Sequence, residues 1–314
     1  MLANWIASLW SVIKALAESN FMIAAIGSLA GAAGGAYAIQ KISEHAKRRD
    51  MLLEELRMSC HAIDMAHGVC STYMNLKKEH VLALKGDYER DRATVHRFAI
   101  RKQFGLEERT ILRVGMDYQF MNEMKTRAPN VETMVLEKIS APVRVRSAAV
   151  SLGRCTDQLN VSIVQRSELI PKLAAMEEGE RVARTFGLPI PGGFDNAYGD
   201  YVGSIYQYTD DSIYFSRMVV DDLTIYAKHV RERYQRMLPR RSRRHVMMVP
   251  RVVWADPEYE RFLPPAENYA SWYTGFVYRV PGTKGQYLRK GTFVIKRWVK
   301  RNLKYASCGM GERA

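Results

Sequence analysis

Residues 21–49 read FMIAAIGSLAGAAGGAYAIQKISEHAKRR, and this stretch decides how the chain is organised. Phe21 to Ile39 carries no charge and few polar groups. As a helix, these nineteen residues extend about 28 Å, close to the roughly 30 Å hydrocarbon core of a bilayer. The flanks orient the segment. Lys14 is offset by Glu18 before it, whereas Lys41, Lys47, Arg48 and Arg49 follow it. The positive-inside rule then places the N-terminus outside and the C-terminal side in the cytoplasm. Ala36-Tyr37-Ala38 has the form of a signal-peptide cleavage site. The stretch ahead of it, however, is long and barely positive, and the cations just beyond would oppose export. A buried helix of a soluble domain is the other alternative, because the run is rich in Gly and Ala.

Within the segment Gly27, Gly31 and Gly35 recur every four residues, with Ser28, Ala32 and Ala36 alongside. Residues four apart share a helix face, so one stripe is almost bare of side chains. In lipid such a stripe lets a second helix approach closely, and self-association into a homo-oligomer is the expectation. Upstream, Ile6, Leu9, Trp10, Ile13 and Leu16 recur at helical spacing opposite Ser8, Ser11 and Lys14. Residues 1–20 therefore read as an amphipathic helix lying in the membrane interface.

Outward from this anchor the chain is mainly α. Nothing between Ile39 and Lys77 breaks a helix, and Leu56, Cys60, Ile63, His67, Cys70 and Met74 form a heptad-like seam. A second seam is Val145, Ala148, Leu152, Cys155 and Leu159, with Ser140 as N-cap and Pro142 in the first turn. A third runs through Tyr198, Tyr201, Ile205, Tyr208, Ser212, Phe215, Val219, Asp222 and Tyr226. It has a second apolar edge at Ile213, Val220, Leu223, Ala227 and Val230, as in a helix buried on two sides. Charged helices are expected around Asp87–Phe104 and Glu107–Arg127, and a break at Gly187–Gly193. The division is thus an interfacial helix over 1–20, a transmembrane helix over 21–39, a cytoplasmic antiparallel helical bundle with coiled-coil-like seams over 40–237, and a basic region over 238–314.

That last region has mixed α/β character. Trp272–Val280 and Gln286–Lys290 read as short strands around a turn at Pro281–Gly285. It also holds most of the basicity. From residue 238 onward there are 16 Lys and Arg against 5 Asp and Glu, a balance of +11 within the chain's +14. Arg240, Arg241, Arg243, Arg244, Lys296, Arg297, Lys300, Arg301 and Lys304 are the candidate contacts to an anionic surface. Trp254, Trp272 and Trp298 lie among those charges. Basic residues interleaved with aromatics suit membrane lipid or single-stranded nucleic acid, or a protein partner, and lipid is favoured because the anchor holds the region near the inner leaflet.

Sites of chemistry are sparse. Cys60, Asp64 and His67 fall at i, i+4 and i+7 and are the one metal-ligand candidate, although Cys60 and His67 already occupy the core seam. The pairs Asp210-Asp211 and Asp221-Asp222 share a helix face. Paired carboxylates serve acid–base work or meet the bundle's many Arg residues in ion pairs, which is the expectation here. No phosphate-cradling glycine loop, nucleophile elbow or zinc-protease motif occurs, so no cofactor and no enzymatic activity are expected. Four cysteines in 314 residues are read as reduced thiols, not a disulfide framework. The leading expectation is a membrane-anchored helical protein that senses or scaffolds. Its rivals are a membrane-perturbing effector of toxin or antiviral-defence type, a membrane-tethered nucleic-acid-binding protein, and a metal-dependent enzyme resting on the Cys60–Cys70 cluster.

Overall fold

The computed structural model describes residue 10 and residues 20–105, 114–115, 118–252, 254 and 260–276. In the first helix the side chains of residues 20–27, 29, 30 and 33 lie outside that description. So do the interfacial helix read over 1–20, apart from Trp10 and the backbone of Asn20, and everything after residue 276. The chain divides into two compact units, Met1–Pro264 and Pro265–Ala314.

The first unit is a bundle of long helices. Helix α1 (Asn20–Leu76) passes through a π-helical turn (Lys77–Val81) into α2 (Leu82–Gln103). The unbroken seam expected from Ile39 to Lys77 is therefore present, and it ends at the glycine turn of Gly105, whose φ is +68°. After the short α3 (Ala128–Thr133) come α4 (Val143–Ala174), α5 (Glu178–Phe186) and α6 (Ala197–Met237). Helix α6 is the centre of the unit. It runs antiparallel to α1, as the pairs Glu55 with Tyr226, Cys70 with Ile213 and Lys77 with Asp210 require. It is antiparallel to α4 as well, since Arg144 meets Asp222 and Arg166 meets Tyr198.

The two-sided burial of α6 follows from its sequence. One edge carries Ile205, Phe215 and Val219 and the other Ile213, Val220, Leu223, Ala227 and Val230, and all are buried. Each Leu or Ile fully removed from water contributes about 1.5–3 kcal/mol. The seams on α1 and α4 are buried too, except His67, which is half-buried. Polar bonds fix their register. Tyr73 and Thr156 share a buried hydrogen bond of 2.6 Å between α1 and α4. The Glu55 carboxylate accepts from the Tyr226 hydroxyl and from the Ser140 amide. Ser140 thus does not cap α4: the capping position is Pro142, with no side-chain bond.

A second departure concerns the helix expected over Glu107–Arg127. Residues 118–126 form no helix and are irregular. Their backbone is satisfied sideways by α4: Asn160 accepts from the Met124 amide at 2.7 Å and donates to the Met124 carbonyl at 3.3 Å. Arg166, 1 % exposed, donates to the Gln119 carbonyl at 2.8 Å. These tertiary bonds replace the i→i−4 ladder, so local helix propensity loses. The break at Gly187–Gly193 is present. Gly187 ends α5 with φ +67°, and a Cβ there would meet the Asn196 side-chain oxygen at 2.7 Å. A two-residue hairpin, β1 (Pro189–Ile190) with β2 (Gly193–Phe194), follows. In the second unit the first part of the strand expected over Trp272–Val280 is not strand: Ala270–Thr274 is a short helix, α7, and Gly275 and Phe276 form a turn, while residues 277–280 lie outside the described residues.

Far from the N-terminus the bundle closes around Leu84, Tyr88, Ile170, Leu173, Phe186 and Tyr198. Tyr88 stacks on Phe186 at 5.7 Å and tilts against Tyr198 at 5.9 Å. At the other end α1 leaves the bundle. Its first described buried side chain is Leu52, and from Gly34 to Met51 every side chain is exposed except half-buried Ala46. Among the described residues no helix is long and apolar enough to cross a membrane.

Candidate functional site

The antiparallel pairing of α1 and α6 brings together two basic segments almost two hundred positions apart in the sequence. Between them lies an open cleft of about 520 Å³. Lys41, His45 and Arg48 of α1 line one wall, and Arg233 and Arg236 in the last turns of α6 line the other. Leu52 and Met237 supply the apolar part, and Glu44 is the one carboxylate in the lining. Lys41 is engaged by Glu44 at 3.9 Å and Arg236 by Glu232 at 3.9 Å. Among the described residues no carboxylate lies within ion-pair distance of Arg48 or Arg233.

The Arg240–Arg244 cluster folds back onto the same end of α6. Gln235 donates to the Arg243 carbonyl at 3.1 Å, Arg243 to the Leu238 carbonyl at 3.0 Å, and Arg231 to the Met247 carbonyl at 3.0 Å. These bonds hold a tight turn (Ser242–His245) on which Arg240, Arg241, Arg243 and Arg244 are all exposed. The five other basic candidates, Lys296 to Lys304, lie outside the described residues. The sequence singles out the four arginines, without the turn that carries them, and uses Lys41–Arg49 only to orient the chain. The cleft between α1 and α6 was missed, because nothing local pairs residue 48 with residue 233.

Three of the four paired aspartates of α6, Asp210, Asp221 and Asp222, meet a cation. Arg144 grips Asp222 with two hydrogen bonds, the longer 2.6 Å. Asp210 pairs with Lys77, a lysine only 3 % exposed that also donates to the Phe262 carbonyl at 2.9 Å and lies 5.2 Å from the Tyr206 ring centre. Burial pushes the Asp210 carboxyl up, against the lowering effect of Lys77 and Lys85. An ammonium held by a carboxylate, a carbonyl and a ring face is a structural cation, and the expected partner was arginine. Asp221 accepts from the Trp254 indole at 3.0 Å, with Arg217 3.9 Å away. The same indole packs on His67 at 5.3 Å and under Arg217 at 5.4 Å. Trp254 is thus committed to docking its own segment on the bundle.

Cys60 and His67 both belong to the inner side of α1, whereas Asp64 is exposed. Among the described residues no three His, Cys, Asp or Glu side chains are grouped to hold a metal ion. Burial pushes the Cys60 and Cys70 thiols up to about 11 and that of Cys155 to about 12, so none is a ready thiolate. On the exposed part of α1, Ser28, Gly31, Ala32 and Gly35 face solvent, and nothing lies within 4 Å of a Cβ built on Gly31 or Gly35. Gly27 lies in the same helix, outside the residues with described side chains. A wider cleft of about 740 Å³ beside Met121, Lys125, Ser167 and Glu168 has mixed charge and gathers no comparable set of like groups. Set against known proteins, the chain matches no family model, no curated protein and no solved structure.

Proposed function

We propose that this chain is a non-enzymatic, membrane-anchored helical scaffold whose basic end rests on an anionic membrane surface. One observation carries the reading: the antiparallel fold sets Arg233 and Arg236 beside Lys41–Arg48, at the end from which α1 leaves the bundle, and the Arg240–Arg244 turn is held on the same end of α6. That departing helix contains the uncharged stretch Phe21–Ile39. Each Lys or Arg near an anionic leaflet contributes about 1 kcal/mol, so many cations gathered at one end form a strong electrostatic footing. With residues 21–39 in the bilayer, the cationic end lies at the cytoplasmic face and the aromatic end points away from it. The bare stripe at Gly27, Gly31 and Gly35 supports self-association within the membrane.

The test uses the full chain in membranes. A reporter active only in the cytoplasm, fused after Ala314, is expected to be active, and the protein is expected to resist extraction by alkaline carbonate. Release by carbonate, or a silent reporter beside an active export reporter, overturns the anchor. Gly31→Ile places a branched side chain where a monomer has open space, so loss of oligomer on crosslinking reports association and not misfolding. Equal crosslinking of wild type and variant removes the stripe from the account. Collapse of membrane potential on induced expression, dependent on Gly31, would replace the scaffold with a membrane-perturbing effector.

A further inference from the structure

We infer that the cleft between α1 and α6 is a binding site for a phosphate monoester group, held between Arg48 and Arg233. Four permanent cations, Lys41, Arg48, Arg233 and Arg236, line it with a single carboxylate, Glu44. Cations in the last turn of a helix are often explained by its macrodipole, which accounts for Arg236 on α6. It does not account for Arg48, which lies deep within α1, or for Arg233, which precedes the last turn of α6. Two guanidinium groups from different helices line one opening, each without a carboxylate partner among the described residues, so both remain available to attract an anion that enters it. A phosphate monoester fits that arrangement: it offers up to two charges and three acceptor oxygens, and guanidinium matches phosphate with paired hydrogen bonds. A volume of about 520 Å³ exceeds what a bare phosphate needs and leaves room for the group that carries it. Leu52 and Met237 give that group an apolar contact.

The phosphate has two chemical sources, a lipid headgroup or a soluble phosphorylated metabolite. The membrane reading above favours the headgroup, and the inference rests on it for that choice alone. The cleft opens at the end where α1 leaves the bundle, and basic pockets next to a membrane helix hold headgroups in this way.

The experiment measures equilibrium binding to the full chain in neutral detergent. The probes are dioctanoyl phosphatidic acid, the matching phosphatidylcholine, and glycerol 3-phosphate, which is the first headgroup without its acyl chains. Phosphatidic acid is expected to bind saturably and phosphatidylcholine not to bind. Arg48→Gln with Arg233→Gln is expected to weaken the phosphatidic acid about tenfold or more. Both side chains are exposed, so the fold is not at stake. Arg48→Lys with Arg233→Lys keeps the charge and is expected to recover part of the loss. Weak glycerol 3-phosphate binding assigns the site to lipid, and binding equal to that of phosphatidic acid assigns it to a soluble phosphate compound. The site is overturned if wild type binds neither phosphate probe, or if the double glutamine variant binds as wild type does. The surface reading fails separately. A chain with Arg240, Arg241, Arg243 and Arg244 all changed to Gln is compared with wild type for retention of anionic over neutral vesicles. Unchanged retention removes the arginine turn from the membrane contact whatever the cleft binds.

Discussion

The two ends of the bundle are built from the same long helices and solve opposite problems. At the far end α2, α4, α5 and α6 converge on Tyr88, Leu173, Phe186 and Tyr198, and the buried guanidinium of Arg166 is closed off by the Gln119 carbonyl and the Tyr198 hydroxyl. Gly199 has no side chain there because the Tyr88 hydroxyl occupies the place a Cβ would take. At the near end α1 and α6 splay cations into an open cleft and leave Arg48 and Arg233 without carboxylates among the described residues. The far end is organised for packing. The near end keeps exposed charges that contribute little to folding, which is the condition under which charges stay available to a ligand.

Breaking each region separates these roles. The largest effect is expected in the far half, at the buried pair. Lys77→Met strands the Asp210 carboxylate and should destabilise the protein by about 3–5 kcal/mol, whereas the joint change with Asp210→Leu should recover most of that loss. A pH series sharpens the result. The Asp210 carboxyl sits above its ordinary 3.8 through burial and is lowered by Lys77. Without Lys77 it rises further. A carboxyl raised in the folded state contributes stability that is fully present below about pH 3.8 and is lost as pH rises through the folded value. The deficit of Lys77→Met should therefore shrink in acid. A deficit independent of pH would mean that lost packing, not stranded charge, is the cause.

Next comes the aromatic cluster. Leu173→Ala removes a side chain 1 % exposed and should cost about 2–5 kcal/mol in urea unfolding, with phosphate binding at the near end unchanged. Coupled loss of binding would show that the two ends are not independent. The smallest stability effect belongs to the near end. Arg48→Gln with Arg233→Gln should shift stability by no more than about 0.5 kcal/mol while weakening the anionic probe. A large loss of stability would place both arginines in the fold and erase the contrast between the ends.

Sequence alone determined that α1 runs unbroken from the apolar stretch to Lys77, because no Gly-Pro punctuation interrupts its seam. It determined that α6 is buried on two sides, because apolar residues at two sets of helical spacing leave no other arrangement. It also marked out the arginine cluster at 240–244, whose turn only the fold shows. Three things were decided by tertiary structure. Residues 118–126 are non-helical because Asn160 and Arg166 of α4 satisfy backbone groups of this stretch, a partnership no local propensity encodes. Asp210 chose a lysine, since the π-helical turn places Lys77 beside it. The basic cleft exists because antiparallel packing brings Arg48 and Arg233 to one opening. Periodicity reports which face of a helix is apolar, whereas the partner it meets, and in what register, is fixed only when distant side chains fill one another's space.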